Sequence, residues 1–384
     1  MTYQSNVRRM KRMIGRLTAG IIAVGTVMCM LTLGCSPDSK RSRKQDKPNG
    51  IGAVCDGEFK YWNSDSEPLK RLKEFVTMVT DSTSDGYVPP FDRIAVFDID
   101  GTLLCETAPT YVNFMAYCKR VLHDDTYTPT PEERDFVREV EQYIRQHHSL
   151  NSDWGMKTMD GQSKAFGGMT QQEYLDWFAD FLATEPAEGF TGLKWGGAIY
   201  WPMIEAVKYL IANDFRVFIC SGTDRDLARA LFKGVIDIPP YQFIASNVNY
   251  VPESQYKAGN TKELQISEGV AFDPDDRFVR GSSMCLNTGI NKISSITREL
   301  ARKPILAWGN SSGDYPMFSF STTDNEYPSI AFCILCDDIE REYGNLEKAA
   351  RTKSECDRNG WITVSMRDDW STIYGPDVER TNAF

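Results

Sequence analysis

At 384 residues the chain is longer than one hydrophobic core usually serves, so two folded units with accessory segments are expected. Its formal charge of −10 argues against nucleic-acid binding, which draws most of its affinity from cationic contacts to phosphates. Three histidines leave little for a His-rich zinc centre, and no HExxH, P-loop or dinucleotide fingerprint occurs.

The first residues carry Arg8, Arg9, Lys11, Arg12 and Arg16 ahead of an apolar stretch over 17–33, which predicts a signal peptide over residues 1–34. Leu31-Thr32-Leu33-Gly34-Cys35 has the form of a lipoprotein box, with Thr32 where such boxes usually carry leucine. Cys35 then becomes the lipidated first residue of the mature protein; a plain secretory signal and an uncleaved anchor are the alternatives. Losing five basic and no acidic residues takes the formal charge to −15. Residues 36–50 are polar and read as a flexible tether, within a lipidated tether and N-terminal segment over 35–67. The expected location is outside the cytoplasm, on a bacterial-type membrane, with Cys35 the sole membrane contact.

Apolar spacing predicts a helix over 68–80. Ile94-Ala95-Val96-Phe97 then reads as a strand buried on both faces, ending in Asp98-Ile99-Asp100-Gly101-Thr102. The carboxyl edge of an open α/β sheet is where ligands bind, and Gly101 permits a tight turn there. A carboxylate at that place is costly unless it is paired, metal-bound or solvated.

Residues 105–199 read as helical. Candidate helices are 111–122, one opened to about 147 by the capping box Thr130-Pro131-Glu132-Glu133, and one opened through about 182 by Thr170-Gln171-Gln172-Glu173. Trp154-Gly155 and Phe166-Gly167-Gly168-Met169 read as loops. A helix over 202–213 leads to a strand over 217–220 with Ser221-Gly222-Thr223 at its exit and a helix over 224–232, a place where hydroxyl and amide groups can meet an anion. Segments 241–251 and 278–285 are extra strands. Lys292 stands at the start of a helix over 288–302, where the dipole disfavours a cation unless an anion is bound.

A strand over 304–308 precedes Gly309-Asn310-Ser311-Ser312-Gly313-Asp314. Five of these residues match the G-x-S-x-G elbow of serine hydrolases, but that fold needs a histidine after the serine, and His123, His147 and His148 all precede it. Ten cysteines occur. Their spacing assigns no disulfides, and Cys333-Ile334-Leu335-Cys336 lies in an apolar run where residues three apart on a strand face opposite sides, so that pair reads as core.

Four of these stretches, in this order, resemble motifs I to IV of haloacid dehalogenase superfamily phosphatases: Asp98 to Thr102, Ser221-Gly222, Lys292, and the loop Asn310 to Asp314. The resemblance implies an α/β fold, a doubly wound and mainly parallel sheet formed by 68–104 and 200–384, with a helical cap inserted over 105–199. It also implies that Asp98 forms an aspartyl-phosphate while Asp100 serves as acid and then base. Lys292 would be catalytic and bind phosphate with Ser221, Gly222 and Thr102. Mg²⁺ would be held by Asp98, Asp100, Asn310 and Asp314. Family members usually carry Asp at the place of Asn310, which offers an oxygen without a charge.

The helical cap and Trp361 to Trp370 look most like the phosphoserine phosphatase and phosphorylcholine phosphatase branch, so the implied substrate is a small phosphate monoester. Tyr111, Trp154, Phe166, Trp177, Trp195 and Trp201 can either cage a choline head group or pack in the core. The rival expectation is an exported binding lipoprotein that keeps the fold without turnover.

Overall fold

The computed structural model describes residues 59–147, 150–262 and 273–383. The expected signal peptide, Cys35 and the whole of the tether over 36–50 fall outside them.

Helix α1 (Glu67–Thr80) starts where the Ser66 side chain accepts the Leu69 amide, and it buries Leu69, Leu72, Phe75, Val76 and Val79. Strand β1 (Ile94–Phe97) is buried throughout. It divides the interior: Ala95 and Phe97 join the core on one face, and Ile94 and Val96 the core on the other. β1 pairs in parallel with β2 (Arg216–Asp224) on one side and with β5 (Leu306–Gly309) on the other. Outward follow β3 (Phe243–Pro252), parallel to β2, and β6 (Ile330–Leu335) and β7 (Ile362–Ser365), parallel to β5. β4 (Phe278–Cys285) closes the β3 edge antiparallel, giving seven strands in the order β4-β3-β2-β1-β5-β6-β7.

Helices cover both faces, as a parallel sheet requires. α1 and α6 (Trp201–Ala212) contribute to the core that holds Phe97 and Trp308. α9 (Ile290–Leu300), α10 (Tyr315–Thr322) and α11 (Leu346–Asn359) contribute Ile296, Met317, Phe318 and Cys356 to the other. The sheet is of the Rossmann type, doubly wound and mostly parallel, as expected. Cys333 is buried in β6, and all seven cysteines of the described residues are free thiols.

Between β1 and α6 lie α2 (Val112–His123), α3 (Pro131–His147), α4 (Ser152–Ala165) and α5 (Gln171–Thr184). Thr170 and Glu173 form the expected reciprocal capping box on α5. Trp154 and Gly155, read from sequence as loop, instead lie in the first turn of α4, because the Asn151 side chain accepts the Trp154 amide and caps the helix. Gly161, further along α4, has the Tyr117 hydroxyl packed against its Cα where any side chain would stand, so the glycine serves helix contact and not a break.

The edge hairpin ties this helical block to the sheet. The Arg280 amide donates to Met169 O, Gly168 N donates to Arg280 O, and the Arg280 guanidinium binds Asp224 at 2.5 Å and Asp226 at 2.7 Å under the Tyr174 ring. Helix α7 (Arg225–Phe232) begins at the same place, with Asp224 capping the amides of Asp226 and Leu227, and the short α8 (Glu253–Lys257) follows β3.

Candidate active site

β1 is the place where the strand order turns back, with β2 on one side and β5 on the other, and the crevice at its carboxyl end is the expected ligand site of such a sheet. A cavity of about 220 Å³ lies there, lined by Asp98, Asp100, Glu106, Thr223, Lys292 and Asn310 among others.

The Asp98 amide donates to Trp308 O on β5, so the nucleophile candidate is fixed by the sheet itself. Lys292, 3% exposed in the first turn of α9, donates from Nζ to Asp98 Oδ1 at 2.7 Å and to Asp314 Oδ1 at 2.5 Å. The two carboxylates answer the dipole argument, since they supply the negative charge a lysine needs at a helix start. Asp314 spends its other oxygen on the loop: Oδ2 accepts the amides of Asn310 at 3.0 Å and Ser311 at 3.2 Å. Both oxygens are therefore engaged, which makes Asp314 the residue that fixes Lys292 and the loop after β5.

Asp100 is held from the far side. Thr223 Oγ1 donates to its Oδ2 at 2.5 Å, while its Oδ1 is buried and has no hydrogen-bond partner. Thr223 comes within reach because β2 runs beyond Cys220, where the sequence placed its end, and its register shifts between Ser221 and Asp224. Such a bulge re-aims side chains. Gly222 and Thr223 line the cavity, whereas Ser221 is fully buried and its Oγ accepts the Thr223 amide. Thr102 is also fully buried, outside the lining residues, with its hydroxyl unpartnered.

Asn310 lines the cavity, and its Nδ2 donates to Glu106 Oε1 at 3.1 Å. Both side chains lie over the Cα of Gly101, whose φ of +69° and lack of a Cβ leave room for them. Glu106 and Thr223 were not recognised from sequence. The signals for them were a carboxylate eight residues after Asp98 and a hydroxyl just beyond Ser221-Gly222.

Of the two readings of the six aromatics, a cage and packing within the fold, five follow the second. Phe166 and Trp177 pack against each other and Phe178 inside the helical block, and Trp154 packs on Phe136 and Tyr143. Trp195 is buried and Trp201 packs at a tilt against Tyr61. Tyr111 alone of the six lines the cavity, beside Phe114 and Met159 of the helical block.

The family model described as haloacid dehalogenase-like hydrolase matches residues 93–265 of this chain. The match spans Asp98, Asp100 and Thr223 and ends before Lys292, Asn310 and Asp314, whose assignment rests on the geometry above. Among solved structures, the chain is similar to a protein of unknown function from Bordetella pertussis Tohama I, at 12% identity over 71% of this chain and 97% of that one, with a TM-score of 0.43. A conserved functionally unknown protein from Anaerococcus prevotii DSM 20548 matches at 12% identity over 77% and 91%, with a TM-score of 0.47. Cytosolic 5′-nucleotidase IIIB bound to cytidine matches at 12% identity over 78% and 86%, with a TM-score of 0.43. No curated protein matches the chain.

Proposed function

We propose that this protein is a hydrolase, a magnesium-dependent phosphomonoesterase acting on a small organic phosphate, phosphocholine- or phosphoserine-like, through an aspartyl-phosphate on Asp98. The observation that carries this reading is the buried Lys292 ammonium held between Asp98 and Asp314, with a third carboxylate, Asp100, at the same cavity.

In the first half-reaction an Asp98 oxygen attacks phosphorus, and the ester oxygen leaves with the proton of Asp100. In the second, Asp100 takes a proton from water as that water attacks the same phosphorus, which releases phosphate and restores Asp98. Splitting one displacement into two lowers each barrier. Lys292 keeps its charge throughout and offsets that of Asp98. Thr223 holds Asp100 by one oxygen, leaving Oδ1 for the proton transfers.

Two carboxylates facing a phosphate dianion repel it by about 4 kcal/mol for each unit pair at about 4 Å and an effective dielectric near 20, which calls for a further cation. Among the described residues no group of three or more His, Cys, Asp or Glu side chains is gathered for a metal. Magnesium does not need one, since it commonly takes one or two carboxylates with waters and substrate oxygens. The donors at the cavity fit that habit: the Asp98 carboxylate, the Asp100 backbone carbonyl and the neutral amide oxygen of Asn310. When bound, the ion would neutralise phosphoryl oxygens and orient them towards Asp98.

Asp98 must be ionised to attack, and Asp100 must be protonated to donate. The Asp98 pKa is raised to about 6, by burial first and then by Asp314, against the opposing pull of Lys292. That of Asp100 is raised to about 7, by burial first and then by Asp98. The rate at limiting substrate is therefore expected to rise with pH as Asp98 ionises and to fall as Asp100 deprotonates, peaking between these values at low Mg²⁺. The whole bell should move to lower pH as Mg²⁺ increases, because a cation favours both charged forms. A pH–rate series at several Mg²⁺ concentrations checks this, and a rate that climbs steadily to pH 9 would contradict it.

Hydrolysis of an aryl phosphate with and without Mg²⁺ tests the assignment. Metal-dependent turnover supports it; no turnover in the wild type would favour a binding protein that keeps this fold, a reading to which Asn310 lends weight. A screen of phosphocholine, phosphoserine and sugar phosphates then ranks substrates. We also propose, from the N-terminal pattern, that the protein is exported and tethered through lipidated Cys35. Cys35→Ser is expected to move it from the membrane to the soluble fraction on cell fractionation, and retention in the membrane would rule the lipid anchor out.

A further inference from the structure

The charge missing at Asn310 has a counterpart close by. Glu106 lines the same cavity, its side chain is 11% exposed, and its Oε1 accepts both from Asn310 Nδ2 at 3.1 Å and from Lys348 Nζ at 2.9 Å. Gly101, which turns left-handed between Asp100 and Thr102, leaves both side chains room over its Cα; a Cβ there would collide with the Asn310 amide nitrogen and crowd the Glu106 carboxyl carbon. The turn after the nucleophile, the loop after β5 and the first turn of α11 thus converge on one carboxylate. Its field reaches Asp100, whose pKa it helps to raise.

An amide whose oxygen meets a cation turns its nitrogen away from it, and here Glu106 is the acceptor for that nitrogen. A carboxylate behind a metal ligand also orients that ligand and adds charge without entering the coordination shell. On the reading of this site as a magnesium phosphatase, we propose that Asn310 and Glu106 together do the work of a single aspartate: the amide supplies the neutral oxygen and Glu106, one hydrogen bond further out, supplies the charge. Lys348 sets how much of that charge the cation feels.

The test is a charge relocation read by Mn²⁺ binding, followed by electron paramagnetic resonance on the full chain, with aryl phosphate turnover measured in parallel. Glu106→Gln is expected to weaken Mn²⁺ binding about 10- to 100-fold, the range seen when partners behind a metal ligand are removed. Adding Asn310→Asp to Glu106→Gln should return the affinity to within a few-fold of wild type, which also shows that the double variant folds. Lys348→Met, which uncovers Glu106, should bind Mn²⁺ more tightly.

Unchanged Mn²⁺ affinity in Glu106→Gln would overturn the inference. So would a double variant as weak as the single one, or weaker binding in Lys348→Met. A Glu106→Gln protein whose KM alone rises would instead make Glu106 a substrate contact. In each of these outcomes a wild type that binds Mn²⁺ and hydrolyses the ester leaves the phosphatase reading intact; a wild type that does neither removes that reading itself.

Discussion

Asp98→Asn is expected to lower phosphatase activity by about four to six orders of magnitude, the scale on which enzymes lose rate when a covalent nucleophile is removed. The amide has nearly the same shape but no charge with which to attack phosphorus. The fold should survive, because Lys292 keeps its 2.5 Å bond to Asp314 and the residue 98 amide keeps Trp308 O. Stability should even improve at neutral pH. A carboxyl whose pKa is raised by folding contributes stability that is present below its unfolded value near 4 and lost as pH rises through its folded value, here about 6 for Asp98 and about 7 for Asp100. The metal-free wild type should therefore lose stability between about pH 4 and pH 7, and Asp98→Asn should flatten that slope. Urea unfolding at several pH values reads it, and an equal slope in both proteins would show that Asp98 is not strained by its burial.

Lys292→Met is expected to be the most damaging single change. It removes the ammonium that faces two buried carboxylates, and breaking a buried ion pair by deleting one partner costs about 3–5 kcal/mol. Burial opposes the charge on this lysine, but Asp314 and Asp98 more than offset it and hold its pKa above the ordinary lysine value. The cost should grow with pH, because at about pH 5 Asp98 can take up a proton and relieve the repulsion, whereas at pH 8 it must stay charged or the structure must open. Unfolding midpoints at the two pH values decide the matter, and turnover should be lost at both. A variant as stable as wild type at pH 8 would mean that the bridge seen here does not carry the site's charge balance.

The sheet was legible because its central strands are short, apolar and closed by polar turns: residues 94–97 and 330–335 leave no other place to go than a covered sheet. Asp98, Lys292 and Asp314 were legible for the same reason, since each follows a strand or opens a helix whose position was already clear. Glu106 was not, because nothing in a turn of the form Asp-Gly-Thr-Leu-Leu-Cys-Glu says which way its last residue points. Its role depends on Asn310 and Lys348, more than two hundred residues away in sequence.

Thr223 was hidden by the register shift in β2, which depends on how β2 and β3 pair and not on local propensity. Helix α4 was masked by Gly155 and Gly161, whose helix-breaking tendency is outweighed by the Asn151 cap and by packing against Tyr117. Helix α11 left a fainter trace: Asn345 caps it and Gly360 ends it in the left-handed conformation, but only three of its fourteen residues are buried, too few for apolar spacing to announce it.

The most direct measurement is to trap the intermediate. Turnover of an aryl phosphate quenched into borohydride reduces an aspartyl-phosphate to homoserine, and peptide mass spectrometry then locates it. The account predicts homoserine at position 98 in the wild type and none when substrate is left out; phosphate found on Ser311, or turnover with residue 98 still an unmodified aspartate after the quench, would contradict it.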